Sequence, residues 1–240
     1  MSDIALTRSA EALDGVIFDL DGTLTDTLPI AFAAFRAAVA QFTPRQFTDE
    51  DLLRFFGPTE EGILQRILPH DWQRCFEQYL DEYTSRHVSC SAPFPGMTDV
   101  LDFLKGRGIP LALVTGKTPR ALAITLQHVD IARYFDVVEA GSPEGGVKPR
   151  ALRKVIDKWR VDARSVAYVG DATSDMDAAN EIGLIAVGAA WDATADASAL
   201  KSAGANVVFT RIGDFFDWLR AWISERGHGG LAGGHARPRP

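Results

Sequence analysis

Val16-Ile17-Phe18-Asp19-Leu20-Asp21-Gly22-Thr23-Leu24-Thr25-Asp26 joins a short apolar run to two aspartates spaced two residues apart, followed at once by a glycine. An apolar run without polar alternation is what a strand covered on both faces looks like. Residues i and i+2 of an extended chain point to the same side, so Asp19 and Asp21 are expected to face one substrate if the strand stays extended through both. One carboxylate would attack while the other handles a proton. A plainer reading competes: Asp19 ends a buried strand and Asp21-Gly22 is an ordinary turn, since both residue types suit turns. The remainder of the chain decides between the two.

Further apolar runs occur at Leu111-Ala112-Leu113-Val114, Val137-Val138, Val166-Ala167-Tyr168-Val169, Ile185-Ala186-Val187 and Val207-Val208-Phe209. Most are separated by stretches of helix length, which predicts an α/β fold with a doubly wound parallel sheet. Ligands of such sheets bind beyond the carboxyl ends of the strands. Asp19, Thr115 and Asp171 each stand at or just past such an end, so three separate segments aim at one crevice. The alternation breaks between about Thr27 and Pro93. There Leu28, Phe32, Phe35, Val39 and Phe42 form one helical stripe, and Leu52 to Leu68 and Trp72 to His87 also read as helices. The division expected is residues 1–26 and 93–226 as the α/β core, 27–92 as a helical insert over the crevice, and 227–240 as a flexible tail rich in glycine, proline and arginine. The aromatic stripe is read as the insert's own core. Ala92-Pro93-Phe94-Pro95-Gly96 marks the return into the sheet.

In this order, Asp19-x-Asp21-Gly22-Thr23, Val114-Thr115-Gly116, Lys148-Pro149 and Gly170-Asp171 with Asp175 resemble the four motifs of the haloacid dehalogenase superfamily, over about residues 14 to 220. The resemblance implies a Rossmann-like core with a small helical cap that closes on substrate and sets specificity. Dehalogenases and phosphonatases lack an aspartate two residues after the nucleophile, so Asp21 favours phosphoryl transfer. Asp-Gly-Thr-Leu, Phe94-Pro95-Gly96, Val-Thr-Gly-Lys and Tyr-Val-Gly-Asp are most similar to the phosphoglycolate phosphatase-like group. Trp191 fits that group's loop too, but Asp192 replaces its usual glycine.

The chemistry such residues can support is constrained by charge. A phosphate monoester carries about two negative charges near neutral pH, and an aspartate with a reference pKa of ~3.9 adds another. At 4 Å and an effective dielectric of 20, each unit pair costs about 4 kcal/mol. Positive charge must therefore be supplied. A hard cation such as Mg²⁺ would be held by the Asp19 carboxylate, the Asp21 carbonyl, Asp171, waters and the phosphate itself. Asp175 matches the second acid of the motif and would orient the metal's waters or Lys148 from outside the ligand sphere. Ser174 with Asp177 fits a helix capping box, so Asp177 is assigned to structure. Lys148 precedes Pro149, which predicts an extended loop from which its ammonium reaches Asp19 and a phosphate oxygen. Thr118 is expected to cap a helix with Pro119 first in it. Backbone amides at Gly116 and Lys117, with the Thr115 hydroxyl, would bind the phosphoryl oxygens.

The expected reaction is two-step covalent hydrolysis of a small, 2-phosphoglycolate-like monoester, with Asp19 as nucleophile, Asp21 as acid then base, and Thr115, Gly116, Lys117 and Lys148 on the phosphate. A β-phosphoglucomutase-like isomerase shares the machinery, though its serine-rich segment is absent at Thr115-Gly116-Lys117. Pyrophosphate and nucleoside monophosphates are further candidate substrates, and a phospholigand binder without catalysis is the alternative of another class. The acids of Phe56-Gly57-Pro58-Thr59-Glu60-Glu61 would disfavour very anionic leaving groups if they point inward.

With 240 residues, 46% of them hydrophobic, and no apolar run near the ~18 a membrane helix needs, the chain reads as soluble and globular. A net charge of −7 gives no footprint for nucleic acid or an anionic membrane. The partner expected is a small phosphorylated metabolite, and no oligomeric state is legible. Cys75 and Cys90 form no Cys-x-x-Cys pair, and Met1 to Gly15 holds no signal-peptide apolar region, so a cytoplasmic setting is the default.

Overall fold

A computed structural model of the chain describes residues 13–55 and 57–224. The tail expected at 227–240, like Met1 to Ala12 and Phe56, lies outside them. Six strands, β1 (Gly15–Phe18), β2 (Leu111–Val114), β3 (Val137–Glu139), β4 (Val166–Gly170), β5 (Ile185–Ala189) and β6 (Val207–Phe209), pair in the order β3-β2-β1-β4-β5-β6. Every pairing is parallel. β1 is thus central, and all six apolar runs read as strands are strands.

Alternation along β1 sorts its residues between two cores. Val16 and Phe18 pack on one face with helices α5 (Met97–Gly106), α6 (Pro119–His128) and α10 (Ile212–Ser224). Ile17 packs on the other with α7 (Lys148–Trp159), α8 (Thr173–Ile182) and α9 (Ala197–Ser202). Asp19 continues the parity of Ile17 and therefore emerges on the side where α7 and α8 begin.

Between β1 and α5 lies a helical cap: α1 (Leu28–Val39), α2 (Asp49–Leu53), α3 (Glu60–Ile67) and α4 (Trp72–Arg86). Phe32, Phe35, Val39, Phe76, Tyr79 and Tyr83 belong to one buried cluster, which also takes in Ala121 of α6. Two sequence expectations change here. The helical stripe ends at Val39, and Phe42 packs on the cluster from beyond the helix. The helix read over Leu52 to Leu68 is two helices, because Gly57 at φ +133° and Pro58 interrupt it. Phe94 marks the return as expected, beside the loop that follows β1, its amide donating to the Leu24 carbonyl at 2.9 Å.

Candidate active site

The strand does not stay extended through Asp21. β1 ends at Phe18, and the Leu20 carbonyl then accepts from the amides of Thr23, Leu24 and Thr25, closing a tight loop. Gly22 sits at φ +72°, and a Cβ there would run into the Asp171 carboxylate. The turn thus brings Asp171 against the Asp19 loop, and the Thr23 hydroxyl donates to Asp171 Oδ1 at 3.1 Å. Asp19 and Asp21 line one cavity, but by way of a loop rather than a strand.

Asp19 is held from two sides: the Leu20 amide donates to Oδ1 at 2.7 Å and Lys148 Nζ donates to Oδ2 at 2.7 Å. The same ammonium reaches Asp175 Oδ1 at 2.5 Å. Lys148 is not in an extended loop; it is the first residue of α7, with Pro149 tolerated in the first turn where an amide proton has no helical partner anyway. Asp175 is fully enclosed, accepting also from the Tyr168 hydroxyl at 2.7 Å and from the Ala172 amide at 3.1 Å. The latter bond makes Asp175, not the Ser174–Asp177 pair, the side chain that caps α8. Tyr168 was missed as a contributor, although a lone tyrosine in the two-sided strand Val166–Gly170 signals a hydroxyl in need of a partner.

Asp19, Asp171 and Asp175 each offer an oxygen within 4.8 Å of the others. Burial pushes the Asp19 carboxyl up to about 6, and Lys148 pulls against it. Burial, then Asp19 and Asp175, raise Asp171 well above the ordinary carboxylate range. Burial alone would lower the Lys148 ammonium, but Asp175 and Asp19 outweigh it and hold it above its usual value. Three enclosed carboxylates against one ammonium leave the cluster short of positive charge, and its donors are all oxygen. The residues therefore fit a hard divalent cation, to which Asp19, Asp171 and Asp175 can each offer a carboxylate oxygen.

The second half of the cavity is built around Lys117. Its side chain is only 2% exposed, and Nζ lies 3.2 Å from Asp21 Oδ1 and 3.5 Å from Glu60 Oε1 of α3. Thr27 also donates to Asp21 Oδ1. Burial opposes the charge on Lys117, yet Asp21, Tyr83, Tyr79 and Glu60 raise its pKa well above the ordinary value. The Thr115 hydroxyl accepts from the Lys117 amide at 3.2 Å. The start of α6 already faces an anion: the Thr118 amide donates to Glu60 Oε2 at 2.9 Å and the Thr118 hydroxyl to Glu61 at 3.0 Å. Thr118 therefore ties the core to the cap instead of capping its own helix. Glu60 and Tyr79, which donates to Glu60 at 3.1 Å, had no signal beyond the acidic segment read above.

The model of the family described as haloacid dehalogenase-like hydrolase matches residues 16–189. A phosphoglycolate phosphatase of Neisseria meningitidis is 29% identical over 194 residues, covering 76% of this chain and 83% of that protein. A phosphorylated carbohydrates phosphatase of Thermotoga maritima is 30% identical over 200 residues, covering 80% and 92%. The crystal structure of a predicted phosphatase from Clostridium acetobutylicum superposes with a TM-score of 0.70 at 22% identity, covering 88% of this chain and all of that one. That likeness carries the fold alone.

Proposed function

Because the chain belongs to the haloacid dehalogenase-like hydrolases and is a phosphatase, we propose that it hydrolyses a phosphate monoester through a phosphorylated Asp19, with Mg²⁺ as its metal. The observation that carries this reading is Lys148 Nζ, placed between Asp19 at 2.7 Å and Asp175 at 2.5 Å with Asp171 alongside. In this reading Lys148 would hold Asp19 for attack, and one phosphoryl oxygen would share the ammonium.

In the first step an Asp19 oxygen bonds to phosphorus, the bond from phosphorus to the leaving oxygen breaks, and Asp21 gives that oxygen a proton. Lys117 and Thr27 both engage Asp21 Oδ1, which assigns the proton transfer to Oδ2. In the second step Asp21 takes a proton from water, the water oxygen bonds to phosphorus, and Asp19 is released with inorganic phosphate. The Thr115 hydroxyl and Gly116 amide are the remaining donors for the phosphoryl oxygens at the end of β2. When bound, Mg²⁺ supplies charge neutralisation and alignment of the phosphoryl group. The same proposal keeps the division at residues 27 and 92 between core and cap, and a cytoplasmic setting, in which the buried, free Cys75 and Cys90 would stay reduced. Among the described residues no helix is long and apolar enough to cross a membrane.

The names of the relatives span phosphoglycolate and phosphorylated carbohydrates, and the first of these supports a small, 2-phosphoglycolate-like substrate. Phosphate release from a panel of monoesters, with Mg²⁺ and with chelator, tests the reaction. Release that stops with chelator and drops by at least ~10³-fold in Asp19→Asn is expected. Full activity in that variant would remove Asp19 as nucleophile.

A further inference from the structure

The cavity that holds the Asp19 cluster continues past Asp21 and ends among the cap helices. Its volume is about 510 Å³, within the ~300–1,000 Å³ of pockets that enclose drug-sized ligands. The two-carbon acid of phosphoglycolate would fill only a few water volumes of it, ~30 Å³ each. The far wall is Leu28, Phe32 and Phe35 of α1, Leu52 of α2 and Ile63 of α3. Those side chains offer apolar contact and no donor for a carboxylate.

Among the described residues lining the cavity, the cations are Lys117 and Lys148. Lys148 is shared by Asp19 and Asp175 and faces the phosphoryl end. Lys117 faces the leaving-group end but already lies between Asp21 and Glu60. Glu60 also takes the Thr118 amide and the Tyr79 hydroxyl, so the cap's own carboxylate holds the donors that an anionic leaving group would need. A substrate carboxylate placed there would be buried in competition with Glu60 for the same donors and beside a like charge, both of which oppose its binding.

Resting on the phosphatase reading, we propose that the substrate is a monoester whose leaving group is bulky, apolar and uncharged, an aryl or longer alkyl alcohol, and that Glu60 excludes small anionic leaving groups such as glycolate. Each apolar group buried against the α1 wall adds to transition-state binding, and the phosphatase reading is kept while the 2-phosphoglycolate-like leaving group suggested by the relatives' names is replaced by a different alcohol on the same phosphate.

Two measurements separate this inference from the reading beneath it. Steady-state kinetics with phenyl phosphate, hexyl phosphate and 2-phosphoglycolate should give a kcat/KM at least about tenfold higher for one of the first two. In Glu60→Gln, which leaves Lys117 with a single carboxylate, the 2-phosphoglycolate value relative to phenyl phosphate should rise at least about fivefold. A wild-type preference for 2-phosphoglycolate would overturn the inference and leave the phosphatase intact. Calorimetric binding of the same compounds to Asp19→Asn with Mg²⁺ needs no turnover. Tighter phenyl phosphate supports the inference even if no compound is hydrolysed, an outcome that would sink the phosphatase reading alone; tighter 2-phosphoglycolate overturns it.

Discussion

At the scale of single residues, the site depends on positions where chemistry and backbone are set together. Gly22 permits φ +72° and leaves room for the Asp171 carboxylate. Gly22→Ala should therefore cost about 1–2 kcal/mol from the left-handed backbone alone, with further loss from the displaced Asp171. Urea unfolding and phosphate release should both report it, and wild-type values in both would refute the tight approach. Asp19, Asp171, Asp175 and Lys148 were legible because their segments are short and keep their order, and each lies beside a strand end or a helix start. The partners that fix them were less so. Thr23, Thr27, Tyr168 and Glu60 act through folded proximity, and Glu60 meets Thr118 across 58 positions, a relation that no local spacing encodes. Lys148 was expected in a loop because the residue before a proline disfavours helix, but in the first turn that preference gave way to the start of α7.

At the scale of elements, the strands were legible from uninterrupted apolar runs, whereas helix ends in the cap were decided by turn residues and packing. Gly57-Pro58 split one expected helix, and α1 stopped before Phe42. A buried polar chain now joins α4 to α6: Tyr83 Oη and His87 Nε2 lie 2.8 Å and 3.1 Å from Thr125 Oγ1, and His87 Nδ1 donates to the Cys90 carbonyl at 3.0 Å. Thr125→Val keeps the volume but strands two polar atoms, and should cost about 1–3 kcal/mol by urea unfolding. An unchanged midpoint would show that the chain is not stabilising. Burial, with the His128 ring stacked 4.9 Å away and Lys117 nearby, lowers the His87 pKa below its ordinary 6.5, against the Cys90 bond. The unfolded chain then binds the proton first as the pH falls through ~6.5, so His87 contributes stability that is lost below that pH. The difference in stability between the protein and His87→Gln, followed from pH 8 to 5, should shrink on acidification; a constant difference would contradict the shift.

At the scale of the whole molecule, the crevice is an acidic enclosure built from distant segments, β1, α7 and the β4–α8 turn, and a cation bound among them is stabilising only when all are assembled. Mg²⁺ at 100 times its dissociation constant should add about 2.7 kcal/mol to folding, read as a rise in Tm that Asp171→Asn abolishes. A variant that retains the full shift would remove Asp171 from the ligand set. The central position of β1 has a second consequence, one of time. Its neighbours β2 and β4 begin at Leu111 and Val166, so this early strand must wait for roughly 150 further residues before it is paired on both edges. At ~5–20 residues per second that wait lasts about 8–30 s during synthesis. The cap, whose α1 and α4 meet through nearer contacts, is complete in the chain at Arg86, before either neighbour of β1 has been made. Ribosome-bound chains halted near residue 130 should yield protease-resistant fragments spanning α1 to α4 while Val16-Ile17-Phe18 is still cut; early protection of that stretch would mean another segment shelters it. The insert that crowns the finished crevice is, in this order of events, the first part of the molecule to take shape, and the strand that carries the nucleophile is among the last to be enclosed.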